Sequence, residues 1–383
     1  MFRLPPVLAI RLVFALNALG LAVWLPRIPD VKAALDVGLF TLSMCFLMLP
    51  VGTVIGFFAV PALIARFGQR QLCRWGGAAF ILLFVLPALA ASPLQLGAAL
   101  LACGLGVGTI EVAMNAKVPE VEALSERRIM SSCHGFWSIG SMTGALLGGA
   151  AAGLNVSFMT QQLVLAPIFA VIAFAVAGAL PEDRPTETHV PTRGLGLPRG
   201  ILLAVCLMPM GALMVEGAMM EWSALFLRGD VGLGAFQAAA VFAMFEVAMA
   251  VGRLNGDRLI EGFGARAVLG ASAAIAALGV LVFALAPGLA VAMLGATLTG
   301  LGIANIYPLA MSRAAEIPGP NPENNIATVA FAAFTIYLVS PPMIGTLGSV
   351  LGLTMAFALL TPAALYPLFM LRAALAGRTP AAS

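Results

Sequence analysis

Residues 94–115 read LQLGAALLACGLGVGTIEVAMN, and this stretch decides the fold class. It is long enough to cross the hydrocarbon core of a bilayer as an α-helix, which takes about 20 apolar residues. One carboxylate, Glu111, interrupts it. A charge at membrane depth is costly and by default marks an ion, proton or substrate path. The stretch therefore predicts a transmembrane helix that carries a functional acid.

The whole chain has the composition of a membrane protein. Hydrophobic residues make up 61% of its 383 residues and charged residues only 10%, against about 45–50% and about 25% in soluble domains. The net charge of +3 does not indicate a nucleic-acid partner. The five cysteines form no C-x-x-C pair and the two histidines lie far apart, so neither a disulfide framework nor a metal site is expected.

Apolar runs of spanning length recur along the chain. They are too long for the strands of a membrane barrel and lack the alternation of such strands. We predict an all-α membrane protein with twelve transmembrane helices, at 7–26, 39–61, 75–91, 94–116, 130–151, 158–180, 200–227, 235–252, 267–286, 288–311, 326–348 and 353–375.

The basic residues predict the orientation of these helices. With a cytoplasmic N-terminus, sixteen of the twenty Lys and Arg residues fall in inner segments and three in outer loops, while Arg11 lies within the first helix. We therefore expect a multi-pass protein of a bacterial inner membrane, with both termini cytoplasmic. Its expected partners are the lipid bilayer and a small-molecule substrate, and we expect a monomer.

The longest polar stretch divides the helices into two sets of six. Rich in proline and charge, it predicts a cytoplasmic linker at 181–199 between bundles at 1–180 and 200–383. Two short motifs also recur at one offset. GLG at 104–106 returns at 300–302, and FGQR at 67–70 returns as FGAR at 263–266, both 196 residues later.

The two matches occupy equivalent topological positions, which indicates a parallel duplication of six helices. We expect the two bundles to be related by a pseudo-two-fold axis, as in transporters with two rocking halves. At the same offset Glu111 corresponds to Tyr307, so the duplicated helix is polar at this level in both halves but can titrate in only one.

The segments after helices two and eight are short, basic and glycine-containing: RFGQR (66–70) and GRLNGDR (252–258). They resemble the loop pattern G-x-x-x-D-R-x-G-R-R of the major facilitator superfamily, in which this loop closes the cytoplasmic side. The first copy has Pro61 and Ala65 where Gly and Asp are expected. The resemblance implies a cytoplasmic gate of Arg66, Arg70, Arg253, Asp257 and Arg258. The alternative is that these arginines only set the topology.

Glu246 precedes Arg253 by seven residues and shares a helix face with it. We expect it to join a charge network at the same gate.

Within the superfamily, GTIEVAMN (108–115) and SSCHGFWSIG (131–140) resemble the fucose permease branch, which carries an acid followed four residues later by Asn in helix four. That branch includes proton-coupled sugar importers. Its other proton-linked carboxylate, on helix one, has no counterpart here, and the first span offers Asn17 instead.

Proton handling is predicted for Glu111 and His134. Glu111 and Asn115 lie four residues apart and share one helix face, so both can line a cavity. His134 could relay protons or bind substrate. The competing interpretations are a structural carboxylate bonded to a neighbouring helix and a packed neutral histidine.

Substrate contact is predicted for polar and aromatic residues at membrane depth. Rings can stack on the C–H faces of a sugar while Asn and Glu satisfy its hydroxyls, although Trp and Tyr also cluster at membrane interfaces for other reasons. The predicted substrate-binding residues are Asn17, Asn115, Trp137, Glu216, Glu221, Trp222, Asn305, Tyr307 and Tyr337.

These observations predict a secondary transporter with alternating access, not an enzyme, that imports a small polar solute such as a sugar or polyol. We expect no cofactor and a proton as coupling ion, with sodium left open. The absence of a G-x-x-x-x-G-K-[ST] loop argues against an ATP-driven pump. One alternative is a proton-driven exporter of a drug-like or cationic metabolite, because several acids lie at membrane depth. A non-transporting receptor of the same fold is the other.

Overall fold

The computed structural model describes residues 4–183, 198–317 and 322–374, and every regular element in these ranges is helical. Within these ranges, eleven segments are long and apolar enough to cross a bilayer. Met130–Gly153, which is rich in glycine and serine, is a further helix packed among them. The prediction of a twelve-helix, all-α membrane protein is confirmed. Most of the predicted linker, 184–197, lies outside the described residues.

The helices are numbered α1 to α12 in chain order: α1 Pro6–Leu35, α2 Leu39–Phe67, α3 Gln69–Leu89, α4 Pro93–Ser125, α5 Met130–Gly153, α6 Phe158–Ala177, α7 Gly200–Gly229, α8 Ala235–Phe263, α9 Ala265–Ala284, α10 Leu289–Glu316, α11 Pro322–Leu351 and α12 Leu353–Ala358 with Thr361–Ala374. Five of these described helices are interrupted, and the two segments of α12 are given above. The segments of the other four are α1 Pro6–Ala22, Leu25–Arg27 and Ile28–Leu35; α3 Gln69–Gln71, Leu72–Gly76, Gly77–Leu83 and Leu86–Leu89; α7 Gly200–Leu207 and Met210–Gly229; and α10 Leu289–Ile303 and Ile306–Glu316.

Several helices run past the apolar spans that predicted them. α2 ends at Phe67 rather than 61, α4 at Ser125 rather than 116, and α8 at Phe263 rather than 252. The extensions all lie at the expected cytoplasmic end, where a helix can continue in polar residues beyond the hydrocarbon. The predicted loops after α2 and α8 are therefore largely helical.

A single glycine separates the helices at each of these two places. Gly68 (φ 77°) ends α2 and Gly264 (φ 79°) ends α8, 196 residues apart. Their N–H groups donate to the Ile64 and Ile260 carbonyls at 2.8 and 2.9 Å. Left-handed φ values of this kind favour glycine, which has no Cβ. The local geometry thus repeats at the offset seen in the sequence.

Close helix packing repeats in the same way. A methyl group added to Gly104 of α4 would overlap the Leu49 carbonyl of α2, and one added to Gly300 of α10 would meet the Phe245 carbonyl of α8. The two glycines are 196 residues apart (300 − 104), and so are the two residues whose carbonyls they approach (245 − 49). Small residues that let backbones touch are how membrane helices associate. The equivalent contacts support a duplication of six helices.

The two halves meet where α2 packs on α11 and α5 on α8. Several of these contacts lie at the end that carries the α1–α2 and α7–α8 connections, which is the expected outer end. There Gly345 of α11 abuts Ser43 of α2. Arg228 Nη1, at the end of α7, also lies 2.7 Å from Asp30 Oδ1 of α1. The halves are therefore closely joined at this end.

Candidate functional site

An ion pair between two helices of the second half lies at the centre of the candidate site. Glu216 of α7 and Arg253 of α8 are 3.2 Å apart (Oε1 to Nη2), and each side chain is about one-fifth exposed, at 20% and 21%. Both residues lie inside apolar spans. Because charges at membrane depth are costly, paired ones usually mark a substrate or ion pathway.

Two tyrosines connect this pair to neighbouring helices. Tyr307 of α10 lies within electrostatic range of Glu216 and Arg253, and also of Glu111 in the other half. Tyr337 of α11 lies within range of Glu216, Arg253 and Tyr307. Four residues predicted to bind substrate or protons thus lie near Arg253: Glu111, Glu216, Tyr307 and Tyr337. The sequence predicts Arg253 itself in a cytoplasmic gate.

Glu111 sits on α4, opposite this group. The Asn115 side-chain amide donates to the Glu111 backbone carbonyl at 2.8 Å and to its Oε1 at 3.1 Å. No Lys or Arg pairs with the Glu111 carboxyl group among the described residues. The repeat-related residues Glu111 and Tyr307 thus lie within electrostatic range of each other in the two halves, one acidic and one neutral.

Glu246 lies near the middle of its apolar span rather than at the cytoplasmic end expected from the sequence. It is 6% exposed, and its Oε1 accepts a hydrogen bond from Ser141 Oγ of α5 at 3.0 Å. Ser138, one turn earlier on α5, is buried with its hydroxyl near the same carboxyl group. Glu246 thus joins the two halves within the membrane and lies within electrostatic range of Arg253.

His134 and Trp137 also lie on α5. The His134 ring meets the edge of Phe14 at 5.5 Å between centroids and lies within electrostatic range of Arg253. Trp137 is partly buried against the core. His134 is therefore close enough to the central charges to take part in their chemistry.

Glu221 and Trp222 continue α7 toward the expected outer end. Trp222 is completely buried, with its ring 5.5 Å from that of Phe46 on α2. Glu221 lies within electrostatic range of Tyr337. Its Oε2 atom is buried without a hydrogen-bond partner.

Two of the predicted substrate-binding residues, Asn17 and Asn305, contact residues of their own half of the protein. Asn17 is buried, donates to the Val13 carbonyl at 2.8 Å and faces Gly77 of α3. Asn305 is buried where α10 is interrupted and packs against Gly256 of α8. The structure thus gives both asparagines packing partners in their own bundle.

A second charge cluster lies at the expected cytoplasmic end of the first half. Lys117 of α4 is 0% exposed and lies 2.7 Å from Glu120 and 2.8 Å from Asp183, which follows α6. Asp183 also accepts from the backbone N–H of Arg70 at 3.0 and 3.2 Å. The superfamily loop pattern has an Asp where this chain has Ala65. Asp183 places a carboxylate at the same α2–α3 connection.

The other predicted gate residues make fewer contacts. Arg70 adds a 3.3 Å contact to Glu182 and donates to the Gly178 carbonyl at 2.6 Å. Arg66 is exposed over the Phe67 ring and Arg258 is exposed. The side chain of Asp257 lies outside what the structure describes.

Sequence reasoning missed Ser138, Ser141 and Asp183 as site residues. Serines are common on glycine-rich membrane helices, and only the fold shows that Ser141 opposes Glu246 across the interface. Asp183 belongs to the polar stretch predicted as linker. The sequence shows that Asp183 follows the sixth apolar run, but no local pattern indicates that Lys117 is its partner.

Comparisons with known proteins give consistent matches. The family described as Major Facilitator Superfamily matches residues 10–341. An uncharacterized MFS-type transporter of Yersinia pestis is 30% identical over 358 residues, covering 91% of this chain and 90% of that protein. Membrane protein MosC of Rhizobium meliloti is 26% identical and covers 91% of this chain and 84% of that protein.

Solved structures match over almost the whole chain. A D-xylose–proton symporter has a TM-score of 0.75 at 15% identity and covers 98% of this chain and 100% of its own. The nucleoside transporter NupG has a TM-score of 0.75 at 12% identity, with the same coverage. At these identities the likeness concerns the fold.

Proposed function

The chain belongs to the Major Facilitator Superfamily, and we therefore propose that it imports a small polar solute, such as a sugar or polyol, together with protons. Membership makes it a membrane transporter rather than an enzyme. Two six-helix halves around a central site suit alternating access, in which the halves rock about that site. The proposed site is the group formed by Glu111, Asn115, Glu216, Tyr307 and Tyr337.

The observation that carries this proposal is the environment of Glu111. Its carboxyl group lies at membrane depth, held by Asn115 and within electrostatic range of Tyr307 of the other half. A carboxyl group without a fixed cation can bind a proton without first breaking an ion pair. Protonation would change the charge between the two halves, which is the feature a proton-coupled transporter needs.

Polar and aromatic neighbours support a polar solute. Tyr307 and Tyr337 offer hydroxyls and ring faces, while Asn115 and the Glu216–Arg253 pair offer donors and acceptors. A fold shared with a D-xylose–proton symporter and a nucleoside transporter is compatible with such a substrate. The finer resemblance to the fucose permease branch remains part of the proposal.

The test is uptake of labelled solutes into proteoliposomes with and without an inward proton gradient. The wild type should accumulate its solute only with the gradient. Glu111→Gln, which keeps the shape and the Asn115 contact, should abolish accumulation while sparing exchange of internal for external solute. Glu261→Gln, an exposed glutamate at the end of α8, is the matched control. Accumulation that survives in Glu111→Gln would remove the proton role from this residue.

Export of a cationic compound is the second candidate. It is favoured by an excess of acidic side chains in the described central group. That group contains four glutamates (Glu111, Glu216, Glu221 and Glu246) and two basic side chains (Arg253 and His134). Deletion and overexpression strains separate the two functions, because an exporter confers resistance to its substrate and an importer does not. A receptor of the same fold would bind ligand yet fail every flux assay.

A further inference from the structure

α7 and α11 approach closely at Gly217. A methyl group at that position would lie 3.3 Å from the Tyr337 ring carbon Cε1 and 3.6 Å from Ser340 Oγ. Ser340 therefore points at the face of α7 that carries Gly217. Glu221 follows Gly217 by four residues and shares that face, one turn nearer the expected outer end. Glu221 and Ser340 thus border one small region between the two helices.

The polar atoms in this region are not satisfied by the protein. Ser340 is 1% exposed, and its hydroxyl has no hydrogen-bond partner. Glu221 Oε2 is likewise buried without one. The Trp222 indole N–H faces the same carboxyl group, in a geometry too poor to count as a hydrogen bond. Buried polar atoms without partners are rare, and each calls for a specific explanation.

The backbone of α11 adds further acceptors beside Ser340. Pro341 and Pro342 follow it inside the helix. Because proline has no N–H, the carbonyls of Tyr337 and Leu338 lose their usual helical donors four residues on. Carbonyls released in this way inside a membrane need another partner. Although α11 is continuous, backbone carbonyls without an N–H donor are the kind of ligand that holds a cation where transporter helices unwind.

The charge balance also points to a cation. The unpartnered groups are mainly oxygen acceptors around one carboxylate, the kind of ligand that hard cations prefer. Among the described residues no Lys or Arg pairs with Glu221, and Arg253 is paired with Glu216. A carboxylate buried here stays ionised only beside a counter-charge, and a bound cation would supply one.

We propose that Glu221, Ser340 and the carbonyls of Tyr337 and Leu338 form a binding site for a monovalent cationic group, either a sodium ion or the ammonium group of an amine solute. The site is distinct from Glu111 and does not depend on the proton role proposed for that residue. Its occupant ties α7 to α11 immediately beside Trp222, whose ring contacts Phe46 of the other half. Occupancy is thus placed to influence how the halves pack at the expected outer end.

The experiment is thermal unfolding of the purified full-length protein in detergent, at constant ionic strength. Sodium chloride and methylammonium chloride are each exchanged for choline chloride, whose bulky quaternary nitrogen has no N–H. We expect a saturable rise in Tm of about 2–4 °C with at least one of the two cations. A rise with sodium alone identifies an ion site, and a rise with methylammonium alone identifies a subsite for an amine.

Matched variants locate the effect. Glu221→Gln and Ser340→Ala should each abolish or strongly weaken the rise, whereas Glu261→Gln and the exposed Ser349→Ala should keep it. Ser340→Ala, which removes one atom, preserves the test should Glu221→Gln fail to fold. Glu111→Gln should also keep the rise in Tm. The experiment therefore distinguishes failure of the cation site from failure of the proton role proposed for Glu111. No rise with either cation, or an equal rise in Glu221→Gln and Ser340→Ala, overturns the site.

Discussion

Lys117 and Arg313 lie 196 residues apart and make equivalent ion pairs in the two halves. Lys117 Nζ lies 2.7 Å from Glu120, and Arg313 Nη1 lies 3.2 Å from Glu316, each partner three residues further along its helix. Both cations are buried, at 0% and 7% exposure. Arg313 Nε also donates to the Ala374 carbonyl in α12 at 3.0 Å. A buried cation thus connects the cytoplasmic ends of the helices in each half.

The first half should lose stability when this cation is removed. Lys117→Gln leaves Glu120 and Asp183 without their shared partner. Breaking a buried pair costs about 3–5 kcal/mol, and we expect about 2–3 kcal/mol because Asp183 is partly exposed. The measurement is thermal unfolding in detergent. Lys117→Arg should retain most of the stability, since arginine fills the equivalent position at 313. Equal losses in both variants would show that packing, not charge, is what Lys117 provides.

The pair that joins the halves at the expected outer end should bias the conformation only modestly. Asp30 and Arg228 are each about a quarter exposed, and such pairs are worth about 0.2–1 kcal/mol. Arg228→Gln, which leaves Asp30 paired with the buried Arg27 at 2.6 Å, should therefore enlarge the population with separated ends by no more than about fivefold. Distances between spin labels on the exposed Ala34 and Gly229 measure this. Lys32→Gln, which removes a neighbouring cation on α1, is the control, and equal shifts in both variants would exclude the pair as the cause.

The packing of α5 on α1 should be sensitive to a single methyl group. Gly144 lies against α1, and a Cβ there would sit 2.5 Å from the Leu19 carbonyl and 3.0 Å from the Val23 amide nitrogen. Because neither backbone atom can yield easily, Gly144→Ala should lower stability by about 1–3 kcal/mol. Gly153→Ala at the end of the same helix is the control, since the nearest atom to its Cβ is 3.6 Å away. Indistinguishable melting temperatures would contradict the close contact.

The sequence predicts the number of helices and the position of their apolar parts well, because these depend on local composition. Each apolar run must cross the same thickness of hydrocarbon, so its existence can be read without knowing its neighbours. The glycine motifs at 104–106 and 300–302 likewise predict that their helices pack closely against neighbouring helices. α5 is less apolar than the other spans because it is rich in glycine and serine. Its length and the polar residues on either side of it still predict its position correctly.

Pairing between distant residues is what the sequence could not predict. The GRLNGDR motif follows the apolar run of α8, and its resemblance to the superfamily loop predicts Arg253 in a cytoplasmic gate. In the structure the helix continues to Phe263, and the arginine reaches Glu216 on α7, 37 residues away in sequence. The sequence predicts Glu246 in the same gate, but its hydrogen-bond partner is Ser141, 105 residues away. Such partners depend on how helices pack within a bundle and between the two bundles, which no local pattern encodes.

The Glu216–Arg253 pair should show strong coupling in a double-mutant cycle. Arg253→Met leaves Glu216 unpaired inside an apolar span and should cost about 2–3 kcal/mol, the lower side of the range for buried pairs because each partner is about one-fifth exposed. Adding Glu216→Gln removes the stranded charge, so the double variant should be more stable than Arg253→Met alone. Unfolding of the wild type, both single variants and the double variant gives the coupling free energy. Additive losses, with coupling below about 0.5 kcal/mol, would mean that the two side chains act independently.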